Sequence, residues 1–173
     1  MTLYGHAVHA RLILACAVLF AALVAVPAAT AGTIVPGISL AGVKLGYSAA
    51  AVKARLGAPA NIQSGPPGSG VVRYDYPTHN RLSIVIRKGR VDSIVMTALR
   101  GERVYDRTTK GVGLLSTMAA WRKAYPGRCS RYAPSPPGCV FERGTTSMLL
   151  QVSGRYGMGW TAPLESIQLT YRR

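Results

Sequence analysis

The chain has 173 residues, which is enough for one compact domain or two small ones. Its 21 lysines and arginines against six acidic residues give a formal net charge of +15, and 49% of its residues are hydrophobic. A disordered chain would have far fewer hydrophobic residues, so this composition excludes a largely disordered protein and predicts a folded, basic one.

The first 31 residues are predicted to form a secretory signal peptide. Arg11 supplies a positive n-region, residues 12–26 are an unbroken apolar run of fifteen, and small residues precede position 32. A membrane-spanning helix needs roughly 20 apolar residues, so we expect no integral span in the mature chain. Cleavage is expected between Ala31 and Gly32, which predicts a secreted or cell-envelope, extracytoplasmic location.

Cys16 raises an alternative to this cleavage, because residues 13–16 resemble the lipobox of a lipoprotein. A lipobox cysteine should end the apolar run, whereas ten apolar residues follow Cys16. The position therefore favours a cleaved signal peptide over a lipid anchor.

The mature chain keeps two cysteines, Cys129 and Cys139. An even pair in an exported protein predicts a disulfide, since the compartment outside the membrane is oxidising. Free thiols or half of a metal site are the alternatives, but no histidine or further cysteine lies near enough in sequence to complete a metal site. No metal and no cofactor is predicted.

Two stretches, residues 42–59 and 111–128, carry the same helical pattern. Ser48 and Thr117 stand where an N-cap belongs. Gly57 fits the left-handed C′ position that ends the first pattern, and Pro126-Gly127 ends the second. Steps of four, three and four residues place the apolar residues on one helical face, which must pack against a sheet because such short helices are unstable alone. The stripes are Leu45, Ala49, Val52 and Leu56 in the first stretch, and Leu114, Met118, Trp121 and Tyr125 in the second.

Each helical stretch precedes segments with strand character and a Gly/Pro-rich loop. Residues 71–76 have strand character, and the alternation of apolar and polar residues over 82–87 and 91–97 predicts two further strands. Lys88-Gly89 suits a tight hairpin between them. The expected fold class is α+β: two tandem units of one helix and three antiparallel strands, with the helices packed on one face of the sheet or sheets. The last predicted strands of the two units, residues 91–97 and 164–170, have similar residues position by position, which suggests an internal duplication. The expected divisions are 1–31 for the signal peptide, 32–101 for the first unit and 102–173 for the second unit with the disulfide loop.

This tandem pattern resembles the BamE/SmpA-like and β-lactamase-inhibitory-protein-like superfamily. The resemblance extends over most of residues 37–171 and is looser in the second unit, where Leu115 and Pro126 replace glycines. It implies a binding scaffold rather than an enzyme, acting as an envelope-assembly accessory or a protein inhibitor. No residue matches the inhibitory loops of that family, so no inhibitory site is carried over. The residues that carry the resemblance are Leu45, Gly46, Ser48, Val52, Leu56, Gly57, Pro59 and the strand at 91–97.

The sequence predicts no catalytic site. The mature chain has one histidine, His79, which lies in a predicted surface turn, and no nucleophile-elbow motif is present. The six acidic residues are scattered along the chain. We therefore expect a protein that is not an enzyme.

A cluster of positive charge gives one candidate binding surface. Arg81, Arg87, Lys88 and Arg90 surround the predicted hairpin and are candidate anion-binding residues. Their partner would be an anionic wall polymer, an acidic lipid or an acidic protein. The alternative is that these charges only solubilise the surface. No nucleic-acid-binding motif is present, so no nucleic acid is expected.

The predicted hairpin of the second unit has a long loop, in which Tyr156, Met158 and Trp160 alternate with glycines. These three residues are candidate partner-binding residues. Either they fold back over the loop between the cysteines, or they extend as anchors for another protein. The predicted function is an exported, non-catalytic protein-binding module of the envelope-accessory or inhibitor type. The alternative is a basic domain that anionic wall polymer or lipid holds at the envelope without a specific protein target.

Overall fold

The structure, a computed structural model, describes residues 33–130, 138–152 and 159–172. All of them belong to one compact unit, Ala31–Arg173. The expected cleavage site, Ala31 and Gly32, lies outside the described residues, as do Tyr156 and Met158.

Strands dominate the described chain. Eight of them form one antiparallel sheet in the order β3-β4-β5-β6-β10-β9-β8-β7, and β1 and β2 form a separate two-stranded hairpin. The elements in chain order are β1 (Ser39–Leu40), β2 (Val43–Lys44), α1 (Ala49–Leu56), β3 (Asn61–Ser64), β4 (Val71–Tyr76), β5 (Leu82–Arg87), β6 (Arg90–Thr97), α2 (Met118–Ala124), β7 (Cys129–Ser130), β8 (Gly138–Arg143), β9 (Thr146–Gln151) and β10 (Ser166–Tyr171).

The predicted fold class, two units of one helix and three antiparallel strands, is wrong. Each half contributes four strands, and β6 pairs with β10 so that the halves share one sheet. The missed strands have a physical explanation: all four residues of β3 are exposed, so neither of its faces imposes an apolar alternation. Strand β7 has only two residues, too few to show a period.

The predicted helix caps and buried stripes are confirmed. The hydroxyl oxygens of Ser48 and Thr117 each accept a hydrogen bond, at 3.1 Å, from the backbone N–H three residues later. Gly57 follows α1 with φ 82° and ψ −169°, a conformation that is open essentially to glycine alone, although not the left-handed helical one that the sequence suggested. Every stripe residue is buried or packed against the core, and Val52, Leu114, Met118 and Trp121 are completely buried.

The core lies on one face of the sheet. A single register row places Ile62, Tyr74, Ile84, Ile94, Leu169, Met148 and Phe141 side by side on that face. Helix α1 covers one end of the row, where Lys53 Nζ lies 5.3 Å from the Tyr74 ring centroid. Helix α2 covers the other end, where the rings of Trp121 and Phe141 are 5.9 Å apart. Both helices therefore pack on the same face.

The predicted hairpin and disulfide are also present. Lys88 and Gly89 have φ values of 50° and 75°, which is the positive-φ pair that a tight turn between β5 and β6 requires. Cys129 and Cys139 lie directly opposite each other on β7 and β8 and are joined by a disulfide. The bond thus fastens the outermost strand to the sheet.

Candidate functional site

The face of the sheet opposite the helices is left uncovered by the described helices. On strands β3–β6 and β8–β10, the side chains of this face are partly or fully exposed. On the central strands, the alternate residues, which face the core, are buried. We call this surface the open face. One register row crosses it through Asn61, Asp75, Ser83, Val95, Gln168, Leu149 and Val140. A second row crosses it through Gln63, Arg73, Val85, Ser93, Thr170, Ser147 and Glu142.

The open face is chemically mixed. Short hydroxyl and amide side chains alternate with valines and leucines, and its charged residues occur mainly towards the outer strands. Such a surface presents hydrogen-bonding groups together with apolar area, as the contact surfaces of non-obligate protein complexes do.

A groove of about 570 Å³ lies in the open face at the end formed by strands β3 to β6. Its aliphatic lining comes mainly from Val85 and Val95, with the hydroxyls of Ser83 and Thr97 beside them. Pro77, Arg73 and Arg81 contribute further to the lining, together with Ala60, Asn61, Asp75, Tyr76 and Leu82.

Two arginines of the groove are held by carboxylates. Arg73 Nε donates to Asp75 Oδ1 at 2.8 Å, and Arg81 Nε donates to Glu102 Oε1 at 2.9 Å. Glu102 also accepts from the backbone N–H of Leu99 at 2.8 Å, and this hydrogen bond together with Arg81 holds the pKa of its carboxyl below the usual value. Only the Nε group of each arginine hydrogen-bonds within the described residues, and both side chains are about half-exposed, at 51% and 53%.

The four candidate anion-binding residues lie at two separate places in the structure. Arg87, Lys88 and Arg90 lie together at the β5–β6 hairpin, whereas Arg81 precedes the other end of β5, roughly 20 Å away for a six-residue strand. Arg87 pairs with Asp92 at 3.5 Å, and Arg90 Nη1 donates to the carbonyl oxygen of Gly46 at 3.0 Å. Arg81 instead shares the groove with Arg73.

Sequence reasoning did not select Arg73 or the other groove residues. The available signal was the alternation within 71–76, where Arg73 and Asp75 fall on the face opposite Tyr74 and Tyr76. That alternation predicted a strand, but the polar side of the strand was not considered as a site. Extending the same alternation across β5 and β6 would have placed Ser83, Val85 and Val95 beside Arg73.

Trp160 packs beside the start of α2. Its backbone carbonyl accepts a hydrogen bond from the N–H of Ala119 at 2.8 Å, and the guanidinium carbon of Arg122 lies 4.4 Å from its ring centroid. The side chain is half-buried against the core. A role of Trp160 in binding a partner stays a prediction, and the same holds for Tyr156 and Met158, which the structure does not describe.

A buried carboxyl group lies near the turn between β4 and β5. Asp106 is 4% exposed, and its Oδ2 accepts from Asn80 Nδ2 at 2.8 Å. Its Oδ1 is buried without a hydrogen-bond partner, and burial raises the pKa of this carboxyl above its usual value. His79, next to Asn80, is half-buried and meets the Tyr76 ring edge-on at 6.0 Å.

The described residues contain neither a candidate metal site nor a candidate membrane-spanning helix. No group of three or more histidine, cysteine, aspartate or glutamate side chains within residues 33–130, 138–152 and 159–172 is placed to hold a metal ion. Within the same ranges, no helix is both long enough and apolar enough to cross a membrane.

No protein-family model matches the sequence, and no curated protein matches it either. Solved structures do resemble the fold. One is a cysteine-rich secretory protein from Staphylococcus aureus subsp. aureus Mu50, with a TM-score of 0.52 and 9% identity over 79% of this chain and 46% of that one. At this identity the similarity is one of fold alone.

Two more remote structures also align with the chain. An extracellular protein containing an SCP domain from Bacillus anthracis str. Ames has a TM-score of 0.42 and 13% identity over 73% of this chain and 44% of that one. A DUF4309 family protein (YjgB) from Bacillus subtilis subsp. subtilis str. 168 has a TM-score of 0.43 and 13% identity over 72% and 78% of the two chains. The present chain therefore spans less than half the length of the first two structures.

Proposed function

We propose that this protein is an exported, non-catalytic binding module that engages a partner protein through the open face of its sheet. The observation that carries the proposal is the asymmetry of the sheet. Both described helices pack on one face, while the opposite face presents partly exposed hydroxyl, amide and aliphatic side chains across strands β3–β6 and β8–β10. An extended surface of this composition, exposed over many strands, is suited to another protein.

Export is supported by two independent features. The N-terminal 31 residues have the composition of a signal peptide, and the disulfide between Cys129 and Cys139 belongs to an oxidising compartment. Whether the module acts as an assembly accessory or as an inhibitor depends on its partner. The resemblance to the BamE/SmpA-like and β-lactamase-inhibitory-protein-like superfamily favours both over an enzyme.

The charge distribution favours a second candidate function, a basic domain retained at the envelope by anionic polymer or lipid. Four of the six acidic residues pair with arginines at the surface, and the other two, Asp106 and Glu165, are buried. Most of the surface lysines and arginines therefore lack a carboxylate neighbour among the described residues, and their field attracts polyanions.

A pair of charge-matched variants tests the first candidate. Val95→Lys adds a lysine to the centre of the open face, and Ala54→Lys adds one to the exposed side of α1. We expect Val95→Lys to abolish partner capture from envelope extract and Ala54→Lys to leave it unchanged, with both proteins melting close to the wild type. Equal capture by the two variants would overturn the proposal.

Salt separates the two candidates in the same experiment. Charge-only retention should disappear near 1 M NaCl, where the Debye length falls to about 3 Å, whereas a packed interface should persist. Retention that ends at high salt and ignores Val95→Lys would favour the basic-domain function instead.

A further inference from the structure

The groove at one end of the open face joins two features that a ligand would use together. Val85 and Val95 occupy neighbouring strands and give it an aliphatic lining, and Arg73 and Arg81 bring two guanidinium groups to the same groove. Hydroxyl groups of Ser83 and Thr97 lie beside the valines. A ligand that fills this groove must bury aliphatic surface and bring negative charge close to it.

Both guanidinium groups have unused hydrogen-bonding capacity. An arginine side chain has five N–H donors, and only the Nε group of Arg73 and of Arg81 donates a hydrogen bond within the described residues. The terminal nitrogens of each arginine thus remain able to bind a second carboxylate in the bidentate geometry that guanidinium favours. The two acids meanwhile hold the arginines in place, which lowers the entropy that binding would cost.

We propose that the groove binds an acidic segment of the partner protein, in which glutamate or aspartate side chains alternate with aliphatic ones. The carboxylates reach Arg73 and Arg81, and the aliphatic side chains cover Val85 and Val95. This inference rests on the proposed function and adds the chemistry of the partner. The net charge of +15 on the chain adds long-range attraction for such a segment.

The probe is a capped five-residue peptide of alternating leucine and glutamate, titrated at low salt into the isotope-labelled protein. We expect the largest amide shifts in the NMR spectrum at Ser83, Val85, Val95 and Thr97, and only weak shifts with a control peptide carrying glutamine for glutamate. Equal binding of both peptides, or shifts confined to residues outside the groove, would overturn the proposal.

Reciprocal variants of each ion pair give the sharper test. Arg73→Gln and Arg81→Gln each remove a guanidinium and should weaken peptide binding about tenfold, since hydrogen bonds to charged groups are strong. Asp75→Asn and Glu102→Gln keep an amide oxygen that can accept from each Nε group but remove the negative charge that would repel a second carboxylate, so they should tighten binding. A merely structural role of the ion pairs would change affinity in the same direction for both members of a pair, which would contradict the inference.

Two further outcomes separate this inference from the proposed function. If the peptide fails to bind but partner capture still depends on Val95, then the partner uses the open face and the acidic chemistry is wrong. If vesicles rich in phosphatidylglycerol cause the groove shifts and the peptide does not, the groove binds lipid headgroups and the inference also fails. Capture that is insensitive to Val95→Lys removes the proposed function itself.

Discussion

Replacing Trp121 by phenylalanine should destabilise the protein by an amount that the structure allows us to work out. The indole is completely buried, and its Nε1–H donates to the carbonyl oxygen of Gly113, which is itself buried, at 3.1 Å. Trp121→Phe removes this hydrogen bond but leaves the one that the same oxygen accepts from the backbone N–H of Ser116 at 3.2 Å, so its loss costs about 0.5–1.5 kcal/mol. The smaller ring also leaves a cavity of about 40 Å³, which costs about 1 kcal/mol. We therefore expect a loss of about 1.5–2.5 kcal/mol in the free energy of unfolding.

The assay is urea denaturation followed by far-UV circular dichroism, because the substitution removes a fluorophore. Tyr125→Phe is the matched control: the ring that stacks on Trp121 at 5.8 Å is kept, and no hydrogen bond of the described residues is lost. We expect this control to change stability by less than about 0.5 kcal/mol. A loss below about 1 kcal/mol for Trp121→Phe would refute the burial and the hydrogen bond on which the calculation depends.

Four other substitutions test three separate parts of the structure. Burial raises the pKa of Asp106, so its contribution to stability is complete below the pKa of an unfolded aspartate and declines as pH rises through the folded value. Asp106→Asn should therefore become more stable relative to wild type between pH 4 and pH 7, and an unchanged difference in unfolding free energy across that range would contradict the assigned burial. Val52→Asp places a charge in the contact between α1 and the sheet and should cost roughly 3–4 kcal/mol in urea denaturation, whereas near-neutrality would show that α1 is not packed there. Trp160→Ala and Arg122→Gln should show a coupling of about 0.5–1 kcal/mol in a double-mutant cycle, and additive effects would exclude the cation–π contact.

Local features were predictable because local physics determines them. Strand β4 begins and ends where the sequence places it, because Val72, Tyr74 and Tyr76 alternate with residues that face the open side. The caps at Ser48 and Thr117 and the turn at Lys88-Gly89 follow from hydrogen bonds and backbone preferences within a few residues.

The arrangement of the strands was not predictable from such signals. Pairing of β6 with β10 joins residues about seventy positions apart, and no short-range pattern specifies it. Strand β3 was missed because its exposure on both faces removes any periodicity, and Ile62 within it is 53% exposed. The groove depends on the missed strand, since Asn61 belongs to β3, and most of its other lining residues come from β4, β5 and β6.

Site-specific photocrosslinking tests the central claim, that the open face binds another protein. A photoreactive amino acid at Gln168, in the middle of the open face, should give one discrete crosslinked product with another protein in cells of the source organism. The same amino acid at Ala54, on the exposed side of α1, should give none. Equal crosslinking from both positions, or a product from Ala54 alone, would contradict the account.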